Sequence, residues 1–225
     1  MIPLRDANPS ETIPFVNYAI IAVNAVVFFV ELSQGNHFNA FIFHFGLIPA
    51  EFISTMNIVP VFTSMFMHGG WLHLIGNMWF LYIFGDNVED RFGHFKYFLF
   101  YILAGVAAAM TQVLFNSGST MPMVGASGAI AGVLGAYVFM FPAAKVSTLI
   151  PIFFFFQIVQ LPAFVFLGIW FLIQAVSGIY SLNIASDVGG VAWWAHIGGF
   201  AAGALLFPFL RKPRGPGLPG LPGLQ

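Results

Sequence analysis

Residues 191–210 read VAWWAHIGGFAAGALLFPFL, and no charged side chain interrupts the run. A helix needs roughly 20 mostly apolar residues to cross the hydrocarbon core of a bilayer. This stretch supplies them. It also carries His196, Gly199 and Gly203 at spacings of three and four, which puts all three on one helix face. An ionisable group inside a membrane helix is expensive, and so points to function.

The rest of the chain reads the same way. Of 225 residues, 59% are hydrophobic, 18% aromatic and 7% charged, where a soluble domain carries about 25% charged residues. Seven Lys+Arg and eight Asp+Glu cannot cover a soluble fold of this size. A soluble domain, a disordered chain and a coiled coil are therefore excluded. A net charge of -1 offers no basic footprint for nucleic acid. Cysteine is absent, which removes disulfides, thiolate metal sites and cysteine nucleophiles.

Working outward from 191–210, the sequence predicts five more spans, at residues 13–30, 71–84, 97–115, 126–141 and 161–180. The second and fourth are short. Either they borrow flanking residues or they sit inside a ring of the others. The first has only Arg5 ahead of it and no small-residue cleavage site after it, and reads as a retained signal anchor. With both termini cytoplasmic, Arg5, Arg91, Lys96, Lys145, Arg211, Lys212 and Arg214 all fall inside, as the positive-inside rule asks. An odd number of spans would break that pattern.

The expected fold is an all-α polytopic membrane protein, a six-helix bundle with a large interfacial first loop. Residues 1–12 form a cytoplasmic segment, 13–210 the membrane domain, and 211–225 a basic, then Gly/Pro/Leu-rich, flexible tail. The first loop, 31–70, is rich in Phe and Ile and is expected to lie, partly helical, in the interface. Residues 146–160 read as an interfacial hairpin, with a helix starting near Pro162; a single long kinked helix is the alternative. A prokaryotic inner membrane is the expected location, and the oligomeric state is unreadable.

The polar residues inside the spans are few. His68 and His73 start span two and Asn77 lies within it, Ser127 starts span four, and His196 is about five residues into span six. Spans two, four and six all run from outside to inside. These groups therefore share a depth in the outer half of the membrane. His73 and Asn77, four apart, share a face. Gly128, Gly132 and Gly135 on span four face Gly199 and Gly203 on span six, and small residues let membrane helices approach closely. That contact brings the Ser127 hydroxyl within reach of the His196 imidazole. A serine becomes a useful nucleophile when a neighbouring base takes its proton. The helix starting after Gly125 offers unpaired N–H groups to a developing oxyanion. Asn77 and His73 can add donors from span two.

Each residue has a plainer reading, as helix packing, interface anchor or interhelical glue. Their convergence favours the chemical one. A His-only zinc site leaves Ser127 and its glycine setting unexplained, so no metal and no cofactor are expected. His37, His44 and His94 are placed in loops, without a role.

At these residues the sequence resembles the rhomboid family of intramembrane serine proteases. The likeness rests on His68 through His73 to Asn77, on Gly125-Ala126-Ser127-Gly128, on Ala195-His196 with Gly199 and Gly203, and on Glu89 and Arg91. It covers roughly residues 63 to 207. The resemblance implies that Ser127 attacks a peptide bond in a transmembrane substrate, with His196 as base and no aspartate. It implies that His73 and Asn77 support the oxyanion and that His68 shapes a hydrated floor. Substrates would carry helix-weakening residues near the cut. Span five and residues 181–190 would form a moving gate. Two departures stand out. Many relatives have Trp-Arg in the first loop, where this chain has Ile58-Val59-Pro60-Val61. Some place a Tyr one turn after the serine, where this chain has Ala131, so His196 must be oriented by other neighbours such as Trp193 or Trp194. The rival readings are a silent helix-binding adaptor and a small transporter.

Overall fold

The computed structural model describes residues 1–152, 155–181 and 191–212. Its elements in chain order are β1 (Ile2–Asp6), α1 (Phe15–Ser33), α2 (Phe38–Phe45), α3 (Pro49–Thr55), α4 (Val59–Thr63), α5 (Trp71–Phe92), α6 (His94–Phe115), α7 (Ser127–Met140), β2 (Lys145–Ile152), β3 (Phe155–Pro162), α8 (Ala163–Ser181) and α9 (Trp193–Leu210). The protein is mostly helical. Helices α1, α6, α8 and α9 are each long and apolar enough to cross a membrane. Helix α5 is as long as α6 but ends in Asp86, Glu89, Asp90 and Arg91.

Helix α7 occupies the centre. Every residue from Gly128 to Tyr137 is buried, and α5, α6, α8 and α9 surround it. A helix hidden from lipid need not match the bilayer thickness. That accounts for its 14 residues, which rise only about 21 Å. Tyr97, Tyr101, Phe84, Phe100 and Phe166 fill the core around it.

Glycine makes the α7–α9 contact possible. A Cβ on Gly199 would sit 2.0 Å from the Gly128 carbonyl oxygen, and one on Gly203 would sit 1.9 Å from that of Gly132. From the other helix, a Cβ on Gly135 would meet the Phe200 oxygen at 2.2 Å. Gly128 and Gly132 also lie against Ala108 and Ala104 of α6, at 2.6 and 2.4 Å from a built Cβ. The backbones are in direct contact, as in small-residue membrane crossings.

The all-α expectation is corrected by a three-stranded antiparallel sheet of order β1-β2-β3. Strands β2 and β3 form the hairpin that the β-branched run after Lys145 favours, pairing Lys145 with Pro162 and Leu149 with Ile158. The added strand comes from the N-terminus. Ile2 pairs with Leu149 and Asp6 with Val146, with a register irregularity between Pro3 and Arg5. A proline lacks an N–H and is tolerated on such an edge strand. Its carbonyl is used: Trp79 of α5 donates its indole N–H to Pro3 O at 2.6 Å.

The segment 1–12 is thus docked. Tyr137 of α7 donates its hydroxyl hydrogen to Asp6 Oδ2 at 2.5 Å, and Ser10 bonds Asp86. Asp90 Oδ1 accepts the Thr12 N–H at 3.0 Å. Burial pushes the Asp6 carboxyl up to about 6; the Tyr137 hydrogen bond opposes this and the Asp86 charge adds to it. Nearby, Glu89 accepts the Val16 and Asn17 N–H groups at 3.1 and 2.7 Å. These are orphan donors at the start of α1. The same carboxylate meets His94 Nδ1 at 2.5 Å, and His94 opens α6 rather than lying in a loop. Residues 213–225, expected to form most of the flexible tail, and residues 182–190, expected to form part of the gate, lie outside the described residues.

Candidate active site

Ser127 is the first residue of α7. The chain arrives there through Gly125, whose φ of +131° favours glycine. Space excludes a side chain there too. A Cβ on Gly125 would lie 2.7 Å from His73 Cε1 and Nε2 and 3.6 Å from Ser127 Oγ. The His73 ring therefore covers Gly125, next to the serine. The first N–H groups of α7 have no partners within the helix.

His196 lies in the first turn of α9. The Ser127 hydroxyl donates to His196 Nε2 at 2.8 Å. On the far side of the ring, Nδ1–H donates to Gln174 Oε1 of α8 at 2.7 Å. His196 and Gln174 are both buried. The backbone just ahead is held as well, since Ala195 N–H donates to Gln112 Oε1 of α6 at 3.2 Å. The base is thus gripped by α6, α7 and α8 at once.

Asn77 and His73 come from α5. His68 does not begin that helix; it lies in the turn before it, fully buried. The Asn77 amide donates to His68 Nε2 at 3.0 Å, and the two histidine rings meet edge to face at 5.1 Å. His68 is anchored from α1, because both Glu31 carboxylate oxygens lie 3.2 Å from its backbone N–H. A cavity of about 830 Å³ opens onto Ser127, His73, Asn77, Gln112 and His196. Among the described residues, no three His, Asp or Glu side chains cluster to hold a metal.

The first loop is fixed without Trp-Arg. Leu47 and Met123 exchange backbone hydrogen bonds at 3.0 and 2.8 Å, and Ala50 N–H donates to Ser119 O at 3.1 Å. Thr63 Oγ1 donates to Phe45 O at 2.6 Å. Gly125 N–H donates to Ser64 O at 2.9 Å. The first loop thereby holds the segment that delivers Ser127.

Of the two tryptophans expected beside His196, Trp193 lies against its ring and Trp194 does not. Trp194 stacks on Phe115 at 3.9 Å, away from the imidazole. Trp193 approaches the ring edge-on at 6.3 Å and Trp170 of α8 lies at 5.8 Å. Among the described residues, the polar contacts at the ring are Ser127 and Gln174. Gln112, Gln174 and Glu31 were missed from sequence. The first two were polar residues inside predicted spans and carried the same signal as Asn77. Glu31 lay one residue beyond the predicted end of span one.

Residues 55–213 match the family model described as Rhomboid domain. The chain belongs to the rhomboid family. It is similar to RHOMBOID-like protein 1 of Arabidopsis thaliana, 31% identical over 162 residues, which are 68% of this chain and 35% of that protein. Rhomboid protein 1, mitochondrial, of Saccharomyces cerevisiae is 26% identical over 199 residues, 87% of this chain and 53% of the relative. Rhomboid protease GluP of Bacillus subtilis is 30% identical over 128 residues, 56% of this chain and 25% of the relative. The chain spans about half or less of the length of these rhomboid relatives. They come from a plant, a yeast mitochondrion and a bacterium, and so do not support a prokaryotic inner membrane in particular. Family and apolar helices together make this rhomboid a multi-pass membrane protein.

Proposed function

We propose that this rhomboid is an intramembrane serine endopeptidase that cuts transmembrane segments of other proteins. The observation that carries the reading is the 2.8 Å contact from Ser127 Oγ to His196 Nε2, at the wall of an open cavity. In the proposed reaction, Ser127 Oγ attacks the scissile carbonyl and its proton passes to Nε2. The oxyanion is met by the Ser127 backbone N–H, together with the Asn77 amide and the His73 ring; each such donor is typically worth ~100–1,000-fold in rate. His196 then gives the proton to the leaving amine. A water, deprotonated by the same nitrogen, hydrolyses the acyl-enzyme. Asn77 would hold polar, hydrated ground beside the serine, with the buried His68 behind it as its hydrogen-bond partner.

The six-crossing arrangement, with both termini cytoplasmic, belongs to this proposal. In it α5 and α7 cross alongside the four apolar helices, and 31–70 packs at the outer face. Helix α7 rises about 21 Å within a core of about 30 Å. With its C-terminal end near the inner face, Ser127 would lie roughly 10 Å below the outer one. A substrate helix has its backbone bonds satisfied internally, so it must unwind to be cut, and helix-weakening residues near the scissile bond would favour that. We place the gate at α8. The test is covalent labelling by a fluorophosphonate. The reading expects one adduct, on Ser127, lost in Ser127→Ala and strongly slowed in His196→Ala. A folded protein that takes up no label would favour the helix-binding adaptor.

A further inference from the structure

We propose that Gln174 is the positioning residue for His196, and that α8 supplies the orientation which a tyrosine after the serine supplies in some relatives. The inference rests on the protease reading and adds a residue to it. An imidazole has two neutral tautomers, and only the one protonated on Nδ1 leaves Nε2 free to take the serine proton. A glutamine carbonyl oxygen only accepts. At 2.7 Å from Nδ1, Gln174 Oε1 holds the proton there while Nε2 faces Ser127 Oγ at 2.8 Å. Gln174 is 7% exposed and His196 8%, so water competes weakly for either group.

The contact belongs to a stripe. Trp170, Gln174 and Gly178 lie four apart on α8 and share a face. Trp170 lies 5.8 Å from the His196 ring. At Gly178 a Cβ would meet Ile197 Cδ1 at 3.0 Å and Trp193 Cβ at 3.5 Å, so the missing side chain lets the two helices close. One turn supplies an apolar wall, the next the hydrogen bond, and the third the close approach. Gln112 does a different job, because it holds the Ala195 backbone and leaves the ring alone. Removing the Gln174 amide should therefore free the ring while the helix stays placed by Gln112 and the glycine contacts.

A glutamate at 174 would put a carboxylate against Nδ1 and favour the charged ring. The other groups facing the His196 ring are His73 from α5, Ser127 from α7, Trp170 from α8 and Trp193 from its own helix, while Gln112 from α6 meets the backbone one residue ahead; His73 is the other titratable group lining the cavity among the described residues.

The test uses full-length protein in detergent micelles, with 15N-labelled histidine and the His196 signal assigned by loss in His196→Ala. In Gln174→Glu the pH at which the His196 ring charges should rise by ~1–3 units, and the acid limb of cleavage should rise with it. A ring midpoint unchanged from wild type overturns the proposal. Should Gln174→Glu fail to fold, Gln174→Met keeps the length without the amide. It should lower kcat ~10–100-fold with KM unchanged, since a whole general base contributes ~100–10,000-fold; an unchanged kcat overturns the proposal. The ring titration needs no proteolysis. A wild-type protein that cleaves nothing, yet shows the shifted midpoint in Gln174→Glu, would sink the protease reading and leave Gln174 as the orienting group.

Discussion

Both carboxylate oxygens of Glu31 lie 3.2 Å from the backbone N–H of His68, so a residue at the end of α1 holds the turn that precedes α5. Through His68 the hold extends to Asn77, whose amide donates to the ring. Glu31→Leu leaves a buried N–H without an acceptor, which costs about 1–3 kcal/mol. Thermal unfolding in detergent should show that loss, and kcat should fall as Asn77 loses its fixed partner. Glu31→Gln keeps an acceptor oxygen and should do less on both counts. Equal damage from the two variants would count against this account of Glu31.

The α7–α9 crossing makes a steric prediction. Gly199→Ala places a methyl 2.0 Å from the Gly128 carbonyl oxygen, backbone that cannot swing aside. Overpacking of that kind costs about 1–3 kcal/mol. It also pushes His196 and Ser127 apart, so activity should drop with stability. Gly76→Ala on α5 meets nothing within 4 Å and is the matched control. Its stability should be equal to or above that of the wild type, because alanine is the better helix former.

Docking of the N-terminal strand should depend on pH. The Asp6 carboxyl is raised from 3.8 to about 6, first by burial, against the Tyr137 hydrogen bond and with the charge of Asp86. A group raised in the folded state favours that state while protonated. Its contribution is complete below pH 3.8 and is lost as pH rises through about 6. Amide exchange at residues 2–6 should therefore speed up between pH 4 and 7 beyond its intrinsic rise, and level off above. Asp6→Asn should remove that extra dependence. A wild-type profile parallel to that of Asp6→Asn would contradict it.

Glu89 accepts the Val16 and Asn17 N–H groups across helices. Glu89→Ala strands these orphan donors at the start of α1 and should cost about 1–3 kcal/mol. The site is at the opposite end of α5 from His73, so the kcat of the protein that remains folded should change little. A large kcat loss at unchanged stability would show that the contact does something else.

Much of this protein was legible in its sequence because a membrane simplifies the code. Apolar runs mark helices, and polar residues inside them stand out. Ser127, His73, Asn77 and His196 were found that way, and the glycine spacing indicated which helices touch. Other features depend on tertiary pairing. Strand β1 has only five residues and exists because β2 offers an edge, so nothing in its own pattern separates it from a tail. The site of Glu31 was hidden by a boundary error of three residues, since α1 runs to Ser33. Gln112 and Gln174 carried a readable signal. Their targets, a backbone N–H and a ring nitrogen, become visible only once α6 and α8 are packed against α9.

The most direct test is cleavage. Purified protein would be incubated in liposomes with a single-span substrate whose helix contains Gly and other small residues, and products would be sized by mass spectrometry. The account predicts a cut within or at the edge of the span by wild type, and none by Ser127→Ala or His196→Ala. The same cut persisting in both variants would contradict it.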